Sequence, residues 1–137
     1  NVYNSYNVND VTSTKHSVGG IMGMLLDTSV GRIDNCFNIG NVSGSSHAGG
    51  IIGQYTSTSG NIKNVYNKDE TYIGTGGANV TIDSTQYNLI SDNSVTVDGQ
   101  TKTVIDALNA WVDANKSTYP ELKNWKIGND EYPTFVE

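Results

Sequence analysis

A chain of 137 residues is one domain's worth of sequence, and a net charge of −6 with only 8 scattered basic residues disfavours nucleic acid and anionic membrane as partners. Only 36% of the residues are hydrophobic and 15 are glycine, a composition that would suit disorder if the aliphatic residues were not regularly spaced. The single cysteine, Cys36, excludes an internal disulfide and any site built from thiolates alone; lying beside Phe37, it reads as a buried structural thiol.

The chain opens on Asn1-Val2, inside a repeated pattern and without Met, signal peptide or apolar run of membrane-spanning length. It reads as a piece of a longer, secreted polypeptide with further coils upstream. Two words recur. The first is Val2-Tyr3-Asn4-Ser5-Tyr6-Asn7, then Ile33-Asp34-Asn35-Cys36-Phe37-Asn38, then Ile62-Lys63-Asn64-Val65-Tyr66-Asn67. The second is Val18-Gly19-Gly20-Ile21-Met22-Gly23, then Ala48-Gly49-Gly50-Ile51-Ile52-Gly53. Asn4 to Asn35 is 31 residues, Asn35 to Asn64 is 29 and Gly19 to Gly49 is 30, so both words share one period.

Helical repeats of that length are excluded by residue type. Val, Ile, Tyr, Phe, Thr and Asn dominate, while Ala and Leu are scarce. The second unit breaks into short extended pieces at Ile33–Asn38, Asn41–Ser43 and Gly50–Ile52, punctuated by Gly31, Gly40, Gly44 and Gly60. Three strands and three corners per unit predict a mainly all-β chain: a right-handed parallel β-solenoid (β-helix) of about three coils, near residues 2–31, 32–60 and 61–92. Equivalent residues then stack about 4.8 Å apart. Ile33 falls between Val2 and Ile62, Phe37 between Tyr6 and Tyr66, and Ile51 on Ile21. Asn35 falls between Asn4 and Asn64, and Asn38 between Asn7 and Asn67, placing amides in ladders. The recurring glycines are expected to supply positive-φ corners. Thr12–Ser17, Leu25–Val30, Ser45–His47 and Gln54–Ser59 read as solvated loops.

After Asn67 the pattern decays. Thr71-Tyr72-Ile73 and Val80-Thr81-Ile82, joined by Gly74–Gly77, suggest a last irregular coil, and Ile82–Asn88 a worn fourth copy. Asp98-Gly99 between Ser94–Val97 and Gln100–Thr103 is a two-residue hairpin signal. Thr103 followed by Asp106 resembles a capping box opening a helix. Its apolar face is Val104, Ile105, Leu108, Trp111 and Val112, and its polar face Asp106, Asn109, Asp113 and Lys116. Pro120 stops it. Trp125-Lys126-Ile127 and Tyr132–Phe135 form a final extended pair around Gly128-Asn129-Asp130. Residues 93–137 thus read as a hairpin and helix cap covering one open end of the stack.

Catalytic and metal chemistry find little support. His16 and His47 precede the two glycine words, but their offsets differ by one residue, which places them on opposite faces, and further ligands are wanting. Asp34 aligns with Tyr3 and Lys63, and Asp10 with Asn41, so no acidic pair forms for glycoside chemistry. Asp69, Glu70, Asp92 and Asp98 do not make a calcium loop. Ser43 lies outside any nucleophile elbow, Gly74–Gly77 lacks the Lys-Ser/Thr of a phosphate loop, and Lys68-Asp69-Glu70 and Asn129-Asp130-Glu131 read as solvated turns. Asn41-Val42-Ser43 and Asn79-Val80-Thr81 match a glycosylation pattern that reads as incidental. No catalytic residue, metal or cofactor is expected. Tyr55, Tyr72 and Tyr87 are binding candidates by type alone, packing between coils being the simpler role.

Gly20-Ile21-Met22-Gly23, Gly50-Ile51-Ile52-Gly53 and Asn35-Cys36-Phe37-Asn38-Ile39-Gly40 resemble the GLUG motif, a repeat of bacterial surface proteins and adhesins. The tail Ala107-Leu108-Asn109, Trp125 and Tyr132-Pro133-Thr134-Phe135 is similar to the segment that closes such arrays. The chain departs from the motif in having Ile for Leu in both glycine words and in losing that word after Asn67. The resemblance implies an extracellular or bacterial cell-surface module, non-catalytic, with a structural or adhesive role and a host or cell-surface protein or a glycan as partner. The alternative is a carbohydrate-binding accessory module of a secreted enzyme such as a large peptidase or glycosidase. An active β-helix enzyme is the least supported reading.

Overall fold

The computed structural model describes residues 1–26, 31–56, 61–68, 71, 73–76, 94–97, 99–130 and 132–137. The described chain is mainly β, in short separate sheets, with one helix. The expected strands over 80–82 and the worn copy over 82–88 lie outside the described residues.

The first recurring word forms the central ladder. β1 (Val2–Tyr3) and β2 (Tyr6–Asn7) pair in parallel with β6 (Arg32–Asn38), which pairs on its other edge with β10 (Asn61–Asn67). The register is Val2↔Ile33↔Ile62, Tyr3↔Asp34↔Lys63, Tyr6↔Phe37↔Tyr66 and Asn7↔Asn38↔Asn67, as the spacing of the words requires. The other strand pairs of the repeat region are also parallel. β3 (Val11–Thr12) joins β7 (Val42–Ser43), and β4 (His16–Gly19) joins β8 (Ser46–Gly49). β9 (Ile52–Tyr55) lies between β5 (Met22–Leu25) and β11 (Ile73–Gly76).

Each of the first two repeats therefore carries more strand than expected. Parts of Thr12–Ser17, Ser45–His47 and Gln54–Ser59 pair, although their polar side chains suggested loops. Solvated side chains do not prevent backbone pairing; they only fix which face meets water. The glycine word is itself a bend, with Gly20-Ile21 between β4 and β5 and Gly50-Ile51 between β8 and β9.

The glycines also serve a different purpose from the one expected. Among the described residues positive φ falls on Asn4, Ser17, Asn35, His47 and Asn64, and on one glycine, Gly99. The repeat glycines instead permit close approach. A Cβ on Gly20 would lie 2.5 Å from Asn38 Oδ1, and one on Gly50 2.1 Å from Asn67 Oδ1. The two recurring words are thus coupled: the second glycine of one repeat makes room for the last asparagine of the next.

The left-handed asparagines reset the side-chain alternation of the central ladder. Ile33 and Cys36, and likewise Ile62 and Val65, share one core with Leu25, Ile51, Ile52 and Tyr55. Phe37 and Tyr66 face the other way, into a second core with the tail. A regular strand would place residues three apart on opposite faces. Asn tolerates the left-handed region better than other side-chain-bearing residues, which is why it occupies the kink.

In the tail, β12 (Ser94–Val97) and β13 (Gln100–Thr103) form the expected antiparallel hairpin, with Gly99 at φ 73°. Thr103 Oγ1 accepts from the Asp106 N–H at 3.0 Å and caps α1 (Val104–Asn115). The helix buries Val104, Ala107, Leu108 and Val112, with Ile105 and Trp111 half-buried; fully burying each larger aliphatic contributes about 1.5–3 kcal/mol. It ends before Pro120. Asn109, expected on the solvent face, binds Trp125 instead: its Oδ1 accepts from the Trp125 N–H at 2.7 Å and its Nδ2 donates to the Trp125 carbonyl at 3.0 Å. β14 (Trp125–Ile127) and β15 (Pro133–Phe135) close the chain as an antiparallel pair.

The tail crosses the flank of the ladder rather than covering one end. It touches the first repeat through Tyr3, Asn4 and Tyr6, the second through Asn35 and Phe37 and the third through Tyr66. The reason lies in the reset alternation, which turns Phe37 and Tyr66 outward from the inner core and leaves an aromatic flank to be covered.

Candidate functional site

The buried polar side chains are the first place to look for chemistry, and most are engaged in two amide columns. In one, Asn64 Nδ2 donates to Asn35 Oδ1, and Asn35 Nδ2 donates to Asn4 Oδ1 at 2.7 Å and to the Leu108 carbonyl at 3.2 Å. Asn4 then binds the tail: its Nδ2 donates to the Lys123 carbonyl at 2.9 Å and its Oδ1 accepts from Trp125 Nε1 at 2.7 Å. In the other, Asn7 Nδ2 donates to Asn38 Oδ1 at 2.7 Å, Asn38 Nδ2 to Asn67 Oδ1 at 2.9 Å, and Asn67 Nδ2 to the Thr71 carbonyl at 3.3 Å. The donor direction runs from the third repeat to the first in one column and from the first to the third in the other. A shorter exposed row adds Asp10, Asn41 and Lys68. Asn41 donates to Asp10 Oδ1 through its backbone N–H and its amide at 2.8 and 2.9 Å, holding that carboxyl below its ordinary range, and Lys68 Nζ donates to Asn41 Oδ1 at 2.6 Å. These groups are structural; their hydrogen bonds already have partners within the fold.

Asp34 is the exception. It is 0% exposed, and Arg32 Nη2 stands 2.7 Å from its Oδ2, yet among the described residues neither oxygen has an aligned hydrogen-bond donor. The contact is an ion pair with a guanidinium that remains 46% exposed. Burial raises the Asp34 carboxyl above its ordinary range, and Arg32 and then Lys63 oppose the rise. Cys36 is buried, its thiol pushed up to about 12 chiefly by burial, so it is a poor nucleophile. Burial also raises the Tyr66 phenol.

His16 and His47 come closer than alternation suggested, with ring centroids 6.3 Å apart. Ser17 and His47 occupy equivalent left-handed positions, and that kink overrides the expected opposite facing. His16 Nδ1 is hydrogen-bonded to Ser46 Oγ. Among the described residues no group of three or more His, Cys, Asp or Glu converges on a metal-sized site. Tyr55 is 1% exposed and packs in the inner core, so it does not offer a binding surface. Tyr72, Tyr87, Asp69, Glu70, Asp92 and Asp98 lie outside the described residues.

The site that emerges was not singled out from the sequence. It is a groove of about 350 Å³ where the tail hairpin meets the edge of the first repeat, lined by Tyr6, Lys126, Asn129, Asp130, Tyr132 and Phe135 among others. Tyr6 stacks on Phe37 at 5.2 Å and 13°, and meets Trp125 and Phe135 edge-on, both at 5.6 Å. It still keeps 37% of its surface exposed because no strand of the described chain pairs with the outer edge of β2. Tyr132 is 42% exposed, at the end of a turn closed by the Gly128 N–H donating to the Tyr132 carbonyl at 2.8 Å. A neighbouring groove of similar size is lined by Tyr3 and Tyr119, but those rings pack on each other at 5.2 Å and leave less aromatic surface to a ligand. The sequence signal for the first groove was faint: Gly128-Asn129-Asp130 read as a solvated turn, and Tyr6 as one of three equivalent stacked rings.

No protein-family model matches the chain, and neither curated proteins nor solved structures gave a match. Among the described residues no helix is long and apolar enough to cross a membrane.

Proposed function

We propose that this chain is a non-catalytic module of a secreted or bacterial cell-surface protein, of GLUG-repeat type, with a structural and adhesive role. In this reading the parallel ladders are successive turns of a right-handed β-solenoid, and the tail rivets them along one flank. The observation that supports it is the in-register stacking of three copies of one word, with buried amides engaged in holding copy to copy. Such a body is stiff, presents a repeating exterior and commits the amides of its two asparagine columns to holding the copies together.

Adhesion then falls to exposed side chains, and the groove beside Tyr6 offers a place for contact. The same groove favours the second reading, a carbohydrate-binding accessory module, because it combines part-exposed aromatic rings with polar and charged side chains. The test is display of residues 1–137 on a non-adherent bacterium, followed by counting attachment to epithelial monolayers and to surfaces coated with extracellular protein. Attachment well above an anchor-only control supports the adhesive role. Attachment equal to that control on every surface removes it and leaves a spacer.

A further inference from the structure

The groove between the tail hairpin and the first repeat has a composition that selects among ligands. Its floor includes Tyr6, a ring packed by three others: it stacks on Phe37 and lies nearly perpendicular to Trp125 and Phe135. An aromatic surface fixed before a ligand arrives loses no rotamer freedom on binding. Tyr132 and Phe135 add aromatic surface from the hairpin. Around these rings stand Lys126, Asn129, Asp130 and Glu137, which supply charged and neutral hydrogen-bonding groups.

Three ligand classes fit poorly. A lipophilic molecule calls for an enclosed, mostly apolar cavity, whereas this groove is open and carries Lys126, Asn129, Asp130, Thr134 and Glu137 on its wall. A phosphate or other anion calls for convergent cations or a helix N-terminus, whereas one lysine here faces two carboxylates on a chain of net charge −6. Nucleic acid is disfavoured on the same ground. A neutral saccharide fits: its C–H face lies against aromatic rings, its hydroxyls both donate and accept, and carboxylate and ammonium partners make the stronger hydrogen bonds.

We infer that this groove binds a neutral saccharide, with Tyr6 and Tyr132 as stacking surfaces and Asp130, Asn129 and Lys126 as hydroxyl partners. The inference rests on the surface-module reading and names the ligand class of its contact site.

The test titrates the whole chain with neutral hexose and N-acetylhexosamine tetramers by calorimetry and by nitrogen–proton correlation spectra, alongside sialylated and sulfated counterparts. At least one neutral tetramer is expected to bind saturably and to shift the Tyr6, Tyr132 and Trp125 resonances. Tyr132→Ala is expected to weaken that binding about tenfold and Asp130→Asn about threefold to tenfold, with the melting temperature unchanged because both side chains line the open groove. Tyr6→Ala is informative only if its fold is intact, so the two hairpin variants decide. Failure of every neutral tetramer to bind at millimolar concentration overturns the proposal, as does preference for the sulfated sugars or binding that both hairpin variants leave untouched. If the natural chain binds no neutral sugar but still supports cell attachment, the saccharide assignment alone is sunk; if it does neither, the adhesive reading goes with it.

Discussion

Asn4, Asn35 and Asn64 stand in left-handed backbone, whereas Asn7, Asn38 and Asn67, three residues further along each copy, stand in ordinary strand. The residue type is the same and so is the spacing between copies. The kinked set sends its column out of the ladder to the carbonyls of Leu108 and Lys123 and the indole of Trp125, and so fixes the tail. The straight set keeps its column inside the strands, against Gly20 and Gly50. One asparagine word therefore does two tasks, because a left-handed residue redirects everything that follows it in the strand.

Four substitutions break or sharpen that comparison. The largest effect is expected from Asn35→Ala. It leaves the Asn4 and Asn64 amides short of partners and puts alanine in the left-handed region, a loss of roughly 3–5 kcal/mol. Asn38→Ala removes a column without a backbone penalty and should lose about 1–3 kcal/mol. Urea unfolding followed by tryptophan fluorescence measures both, and equal losses would mean that the left-handed kink carries no weight.

Gly50→Ala comes next. Its Cβ would press 2.1 Å from Asn67 Oδ1, on a buried amide held at both ends, so overpacking should cost about 1–3 kcal/mol. The doubled variant Gly50→Ala/Asn67→Ala should recover part of that loss. Strictly additive losses would disconnect the glycine word from the asparagine word.

The smallest effect is expected at Asp34, a buried polar group that neighbours the kinked column without joining it. Burial raises its folded-state pKa above the unfolded value, so folding favours the protonated form. Its penalty on stability is therefore fully present above the folded-state pKa and fades as pH falls through that value toward the ordinary carboxylate range. Asp34→Asn should raise the melting temperature at pH 7, and the gap from the natural chain should narrow on acidification. Taking the difference between the two chains cancels Asp10, whose depressed pKa acts in the opposite sense. A lower melting temperature for the variant at pH 7 would show that Arg32 more than offsets the burial.

Much of the ladder was legible before any coordinates. The spacing of Val2, Ile33 and Ile62, and of Tyr6, Phe37 and Tyr66, fixes parallel pairing because stacked side chains must match in kind. The Thr103 cap and the apolar stripe of α1 were legible for the same reason: local hydrogen bonding and a single buried face write themselves into spacing. The kinks were not. Asn35 and His47 carry no mark that distinguishes a left-handed residue from an extended one, so the facing of His16 and His47 was misjudged, and so was the role of the repeat glycines. The groove was hidden for a further reason. It joins Tyr6 to Tyr132 across the length of the chain, and only the lateral docking of the tail, itself a consequence of the kinks, brings them together.

The opposed donor directions of the two amide columns have an electrical consequence. Each primary amide is a dipole, and a column of them pointing one way would build a potential difference between the two ends of the stack, as peptide units do along an α-helix. Here the column through Asn35 and the column through Asn38 point oppositely, so their fields largely cancel. A body assembled from such repeats can lengthen without becoming a longer and longer magnet for ions at its tips.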